Sequence, residues 1–428
     1  MKNIFVIGLN EFNLQKLQKI RNAENYRFHP LLSSEDVLEQ EKYDIEGILS
    51  KAASQLRSFD GSIDGIIHYI DFPASTSVPL LCRKFDLPSA SFEAVLKCEH
   101  KYWSRLEQKR TVPDHVPEFA CFDPFDDDAL KKMDLDFPFW IKPIKSFSSY
   151  LGFRIGNEQE FHDCCVIIRE NIGRFEEPFN HLLNLADLPA EVAEVGGGMC
   201  IAENIISGRQ CTLECYVYRG KVHTYGVVDS IREANRTSFS RYQYPSRLPK
   251  RVQKRMHKIA QQIMTHIGYN EAPFNIEFFW DEAHNHIWLL EINPRISASH
   301  CELFEDVDGV SSHDIAVELS IGNEPEPLRH IGEFNCAAKF FLRKHEDAYV
   351  EAVPDESVVR RLEEEMPGTT IHIQVHPGMW LSELMDQDSY TYILAIMWLG
   401  GRHQRELLKK YNRCVRALKF RLAKRPFA

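Results

Sequence analysis

No CxxC pair occurs among the eleven cysteines of this 428-residue chain. Cys164 and Cys165 are adjacent, and Cys211 and Cys215 are four apart. That spacing excludes a zinc framework and a disulfide scaffold. An odd number of free thiols fits a reducing cytosol. A long basic stretch is also missing, and the formal net charge is −11. Non-specific nucleic-acid binding is therefore not expected. The basic tail (Arg413, Arg416, Lys419, Arg421, Lys424, Arg425) reads as the solvated side of a terminal helix. The most apolar late run, Tyr390 to Gly400, is too short to span a bilayer. The first residues, MKNIFVIGLN, carry only a short apolar run, so no secretory leader is expected. These features describe a cytoplasmic chain with no membrane partner. No Ser/His/Asp or Cys/His arrangement for nucleophilic catalysis is recognisable. Gly8-Leu9-Asn10 lacks the glycine-rich fingerprint of a dinucleotide site. Internal repeats and low-complexity segments are absent.

What is present is an ordinary globular composition, 44% hydrophobic and 26% charged. The length allows about two to four domains. Ile4 to Ile7 and Gly65 to Ile70 read as buried parallel strands, with a short helix from Pro79 to Phe85. Ser91 to Gln108 reads as one helix with Lys97 and Lys101 on one side. Strands follow at Phe137–Pro143, Phe153–Ile155, Met199–Ile206, Cys211–Tyr218 and Val222–Ile231, with a helix over Asn157–Asn171. An Arg-rich loop spans Arg232 to Arg247, and a helix spans Pro249 to His266. Beyond the next hairpin comes a helix over Ser311–Leu319. Strands at Phe334–Arg343 and Thr370–Val375 and helices at Asp355–Glu365, Ser389–Leu399 and Arg405–Phe420 close the chain. The fold class is α/β.

The most informative segment is FNIEFFWDEAHNHIWLLEINPR, Phe274 to Arg295. It reads as strand, turn, strand. A hairpin centred on His284 sets Glu277 opposite Glu291 and Asn275 opposite Asn293. Side chains alternate faces, so these four share one face, with Phe279 and Leu289 nearer the turn. Ile276, Phe278, Trp280, Trp288, Leu290 and Ile292 then form the core face. Like charges directly opposite repel, and a cation between them removes the conflict. Two carboxylates and an amide suit Mg²⁺ or Mn²⁺. Arg295 can meet a phosphate or carboxylate with its planar fork. A half-exposed hairpin with its acids in water satisfies the same spacing.

Glu277 with Glu291-Ile292-Asn293-Pro294-Arg295 resembles the metal-and-phosphate strand pair of the ATP-grasp superfamily, in its carboxylate–amine ligase branch. The order of elements is similar over nearly the whole chain. The resemblance implies an N-terminal α/β domain (1–95), an ATP-grasp domain (96–328) with a lid subdomain over about 115–203, and a small C-terminal α/β domain (329–428). It implies ATP and Mg²⁺ or Mn²⁺, with the metal on Glu277, Glu291 and Asn293. Arg295 would stabilise the transferring phosphoryl group. Lys101, with Lys97 as its rival, resembles the first phosphate lysine, and Lys142 the second. Glu203 resembles the acid ending the adenine strand, and Asn204, Ile205 and Ile206 would offer backbone groups to the adenine edge. Glu214 resembles an acid near ribose or metal. One departure stands out. The lid loop, Lys145 to Gly152, has a single late glycine, so its serines, Ser148 and Ser149, would be the donors to phosphate.

The Arg-rich loop is either exposed or holds a substrate carboxylate, with Arg236 as the candidate. His300 is a substrate contact, a base or a structural histidine. The implied reaction joins a small carboxylate, an amino acid by preference, to an amine through an acyl phosphate. A small-molecule kinase, a carboxylase (which lacks a carrier domain here) and a non-catalytic nucleotide-binding protein are the alternatives. Dimers are common in that superfamily, which leaves a homodimer open.

Overall fold

The computed structural model describes all residues except 39, 41, 148, 149, 235, 236, 327–329, 385, 386, 389 and 425–428. Its N-terminal part holds a three-stranded parallel sheet, with Lys2–Ile7 between Tyr26–Leu31 and Gly65–Ile67. Ile4, Phe5, Val6 and Ile7 are all buried, because a parallel strand covered on both faces needs apolar side chains on both. Gly8 turns the chain at φ +66°. A Cβ there would meet Ile70 Cδ1 at 2.4 Å, so only glycine fits. Asn10 caps the next helix, Glu11–Leu17, by accepting from the Asn13 N–H.

The segment expected as one helix from Ser91 is two, Phe92–Glu99 and Lys101–Thr111. His100 breaks it. Its Nδ1 accepts from Trp103 N (3.1 Å), and its Nε2–H donates to Val195 O (2.7 Å). A side chain that caps the second helix holds its own backbone outside helical geometry. Lys97 and Lys101 therefore do not share a helix face. Lys97 reaches Ile267 O instead (3.5 Å).

A four-stranded antiparallel sheet follows in the order Phe119–Phe122, Cys200–Asn204, Phe139–Pro143, Phe153–Ile155. The helix Glu158–Asn171 packs on it through Phe161, Cys165 and Ile168, whose spacing of four and three makes one apolar stripe.

The largest sheet has eight strands. Their order is His286–Asn293, Ala272–Asp281, Arg209–Tyr218, Lys221–Arg232, Phe239–Tyr244, Cys336–Lys344, Tyr392–Gly401, Thr369–Ile373. The helix Lys250–Ile267 buries Val252, Met256, Ile259, Ala260, Ile263, Met264 and Ile267 beneath it and stops at Gly268 in the left-handed region. Cys336–Lys344, Thr369–Ile373 and Tyr392–Gly401 thus extend the sheet that begins at the hairpin, while Ala348–Ala352 pairs with Arg421–Lys424 in a separate two-stranded sheet.

Three sequence expectations are corrected. Ser389–Leu399 is not a helix; Tyr392–Gly401 is an interior strand paired on both sides. An apolar run of that length has no period to decide between the two, and its neighbours decide. The Arg-rich loop contains the strand Phe239–Tyr244, paired to Lys221–Arg232 and Cys336–Lys344. In the hairpin, Glu277 faces Glu291 and Asn275 faces Asn293, but the register shifts after Glu277, so Phe278 faces Leu289. The extra residue exchanges the faces on the turn side. Ile287 and Leu289 are therefore core, while Trp288 and Leu290 are not.

Candidate active site

A cavity of about 1700 Å³ opens between the four-stranded sheet, the hairpin, the end of the N-terminal sheet and the strand Cys336–Lys344. Lys101, Lys142, Glu203, Asn204, Ile205, Ile206, Glu277, Glu291, Asn293, Arg295 and His300 all line it. Ser148, Ser149 and Arg236 lie outside the described residues.

The acid pair forms one wall. Antiparallel pairing brings Glu277 and Glu291 side by side on the cavity face. Burial, then the Glu291 charge, raises the Glu277 carboxyl to about 7, against a hydrogen bond from Gln210 Nε2 (2.7 Å). Neither acid joins an ion pair among the described residues. Asn293 donates its amide nitrogen to Asn275 Oδ1 (3.0 Å), which leaves Asn293 Oδ1 as the atom open to a ligand. Two carboxylates that repel, plus an amide oxygen, are the hard donor set for a divalent cation, so the residues fit one. Among the described residues no cluster of three or more His, Cys, Asp or Glu forms a metal cage.

Arg295 is held by Asp71, four residues beyond the strand Gly65–Ile67 of the N-terminal sheet. Arg295 Nη2 and Nε donate to Asp71 Oδ2 at 2.6 and 2.9 Å. Lys145 pairs with the same aspartate (3.3 Å) and with Glu99. Although burial pushes the Asp71 carboxyl up, Arg295 and Lys145 hold it well below the usual range. Asp71, Glu99 and Lys145 had no functional role in the sequence reading. An acid just beyond a buried parallel strand was the available signal.

Glu203 is buried between Lys142 (2.7 Å) and Arg105. Burial raises its carboxyl, but Arg105 and Lys142 win and bring it down to about 2. Arg105 also donates to the carbonyls of Leu289 (2.9 Å) and Leu290 (2.7 Å). It ties the lid strand to the hairpin and is a second residue the sequence did not single out. Lys101 donates to Ser146 O (2.6 Å). Burial and the neighbouring Lys145 and Lys142 charges lower it to about 8.

Glu214 is fully buried and outside the cavity lining. It accepts from His300 Nδ1–H (2.7 Å) and from the Tyr225 hydroxyl (3.1 Å). His300 Nε2 has no partner and is buried. The acid therefore touches the cavity through the histidine rather than lining it.

Two acids and an amide beside a carboxylate-anchored arginine, facing lysines across a cleft between two antiparallel sheets, define the ATP-grasp fold. Residues 135–303 match the model of the ATP-grasp domain family. The L-amino acid ligase from Bacillus licheniformis superposes with a TM-score of 0.73 at 13% identity, covering 99% of both chains. N5-carboxyaminoimidazole ribonucleotide synthetase from Thermotoga maritima gives 0.62 at 14% identity, covering 99% of this chain and 100% of that one. Biotin carboxylase from Campylobacter jejuni, solved as a β,γ-ATP complex, gives 0.62 at 15% identity, covering 98% and 92%. At such identities the likeness establishes the fold. No curated protein sequence matches the chain. Residues 135–303 therefore match the ATP-grasp domain family, and the chain as a whole has the fold of these ATP-grasp enzymes.

Proposed function

We propose that the protein is an ATP- and Mg²⁺-dependent carboxylate–amine ligase. The observation that carries the reading is the in-register pair Glu277–Glu291, with the Glu277 carboxyl raised to about 7 on the cavity wall. A folded chain keeps such a pair at a cost, and binding a cation recovers it. The fold shared with the L-amino acid ligase from Bacillus licheniformis supports amino acids as substrates.

In this reading Glu277, Glu291 and Asn293 would hold Mg²⁺ or Mn²⁺, which would neutralise charge on the phosphate oxygens. Lys101 and Lys142 bind the phosphates, and Asn204 to Ile206 border the adenine. A carboxylate oxygen attacks the γ-phosphorus while the bond to the ADP oxygen breaks. Arg295, oriented by Asp71, stabilises the charge that develops. The amine then attacks the carbonyl carbon of the acyl phosphate, and phosphate leaves. The amine must shed a proton. His300 lines the cavity, and its buried Nε2 is an unpartnered acceptor because Glu214 fixes the Nδ1–H tautomer. Water must be kept out. The Arg154 N–H donates to the Tyr390 hydroxyl (3.2 Å), joining the lid sheet to the segment just before the strand Tyr392–Gly401, and both residues line the cavity. All eleven cysteines are free thiols, which supports a cytoplasmic protein. No helix among the described residues is long and apolar enough to cross a membrane.

The test is phosphate release from ATP and Mg²⁺ with amino acids offered singly and in pairs, with mass analysis. Release that needs two partners, and a product equal to their sum less water, supports the ligase. One partner gaining a phosphate group identifies a kinase instead.

A further inference from the structure

The strand Phe239–Tyr244 carries a tyrosine whose hydroxyl has no task in the free protein. Tyr242 lies between Ser230 on one neighbouring strand and Lys339 on the other, and all three line the cavity. Its two neighbours have partners. Ser230 Oγ is 3.4 Å from Thr212 Oγ1, and Lys339 donates to Ser299 Oγ (3.0 Å). Two other tyrosines of the cavity lining are also bonded. The Tyr69 hydroxyl donates to the Gly8 carbonyl, and that of Tyr390 accepts from the Arg154 N–H. The Tyr242 hydroxyl makes no hydrogen bond among the described residues. It is not a sealed, orphaned atom either, so it opens onto the cavity space.

Its ring is fixed by three others. It meets His300 edge-on (4.9 Å between ring centres), Phe341 edge-on (5.4 Å) and Phe239 at a tilt (5.0 Å). A tyrosine has only two side-chain torsions to fix, so these contacts aim the hydroxyl. The charges that act on it are those of Glu277, Arg232, Arg343 and Arg295. Arg232 is held by Gln210 and the Thr237 carbonyl, and Arg343 by Asp388 and Thr391. Tyr242 thus stands between His300 on one side and the Glu277 and Arg295 end of the cavity on the other. A phenol is protonated at neutral pH, which makes it a neutral, aligned donor.

That position matches one atom of the proposed reaction. The phosphoryl end of the acyl phosphate lies at Glu277 and Arg295, and the amine comes to His300. The carbonyl carbon lies between them. When the amine lone pair attacks it, the N–C bond forms and the π pair of the carbonyl moves onto oxygen. The pair then returns, the bond from carbon to the phosphate oxygen breaks, phosphate leaves with those electrons, and the amine proton passes to His300 Nε2. Arg295 and the lysines act on phosphate, so no residue assigned above meets the carbonyl oxyanion. Such an oxyanion is stabilised by a fixed donor aimed at it.

We propose that Tyr242 is a catalytic residue whose hydroxyl donates to the carbonyl oxygen of the acyl phosphate and holds the oxyanion formed when the amine attacks. The proposal rests on the ligase reading and concerns its second step alone; phosphoryl transfer does not need the hydroxyl.

The experiment is a single-turnover rapid quench of the full chain with ATP, Mg²⁺ and a mixture of the standard amino acids, comparing wild type with Y242F. ADP reports the first step, and dipeptide, read by mass, reports the second. Y242F is expected to form ADP at the wild-type rate and dipeptide roughly 100-fold more slowly, the usual loss of one such donor. ADP then accumulates without dipeptide, because water takes the unclaimed acyl phosphate. The hydroxyl bonds no protein group among the described residues, so Y242F keeps the fold, which thermal melts check. Y242L also strips the ring from His300 and is expected to slow dipeptide formation further. A role in packing alone leaves Y242F like wild type. That result, or a Y242F that slows ADP and dipeptide together, overturns the proposal and leaves the ligase standing. A wild type that phosphorylates one amino acid and forms no dipeptide, or that turns over nothing in the mixture, overturns the amino acid ligase and the proposal with it.

Discussion

Glu277 carries a penalty that can be measured without knowing any substrate. Burial and Glu291 raise its carboxyl from 4.5 to about 7. That difference, at about 1.4 kcal/mol per pH unit, is worth about 3 kcal/mol. A carboxyl raised in the folded state binds protons that the unfolded chain has already released. Stability therefore falls as pH climbs from 4.5 to about 7, and the loss is complete above that. E277Q removes the charge and keeps the shape. At pH 8 without metal, E277Q is expected to be more stable than wild type by about 3 kcal/mol, a rise of a few degrees in Tm. At pH 5 the advantage shrinks to under about 1 kcal/mol, because the wild-type carboxyl is mostly protonated there. Mg²⁺ should stabilise the wild type at pH 8 and E277Q much less. Scanning calorimetry of both proteins at the two pH values, with and without Mg²⁺, supplies every number. A difference equal at pH 5 and pH 8, or a less stable E277Q at pH 8, refutes the reasoning.

Chelation by EDTA is expected to abolish phosphate release, and excess Mg²⁺ to restore it; release unaffected by EDTA counts against the donor set on Glu277, Glu291 and Asn293. D71N leaves Arg295 and Lys145 buried with one fewer countercharge, which should cost about 3–5 kcal/mol in denaturant melts; a neutral effect removes Asp71 as the anchor of Arg295. Lys101 is lowered to about 8 in the free protein, so it loses its charge as pH rises through that value. Nucleotide affinity should then fall between pH 7 and 9 in the wild type, while K101M, already weak, should stay flat; fluorescence titration with a labelled ATP analogue distinguishes the two.

The hairpin illustrates how far sequence reading reaches. Glu277 opposite Glu291 follows from a turn at His284 and the two-residue period of a strand, and the structure has that register at the metal end. Toward the turn the register slips, because the bulge after Glu277 depends on what the sheet packs against rather than on local pattern. Lys97 and Lys101 show the same limit. Their spacing places them on one helical face, and His100 separates them through a bond to Val195, 95 residues away. Asp71 and Lys339 carried no local signal of comparable strength, since an acid just beyond a strand and a lysine within a strand are common features.

By itself the sequence determined the elements whose chemistry is local. These are the apolar parallel strand Ile4–Ile7, the helix Lys250–Ile267, and the acid–amide–arginine run from Glu277 to Arg295. Periodicity and capping act over a few residues, so they can be read in order along the chain. Tertiary structure alone decided which charges meet. Arg295 finds Asp71 across 224 residues, Arg105 finds Glu203 across 98, and His300 finds Glu214 across 86. The same holds for Lys339, whose ammonium meets the Ser299 hydroxyl across 40 residues. Electrostatic pairing depends on distance in space and on burial, and neither is a property of a position in the chain until the sheets have closed around it.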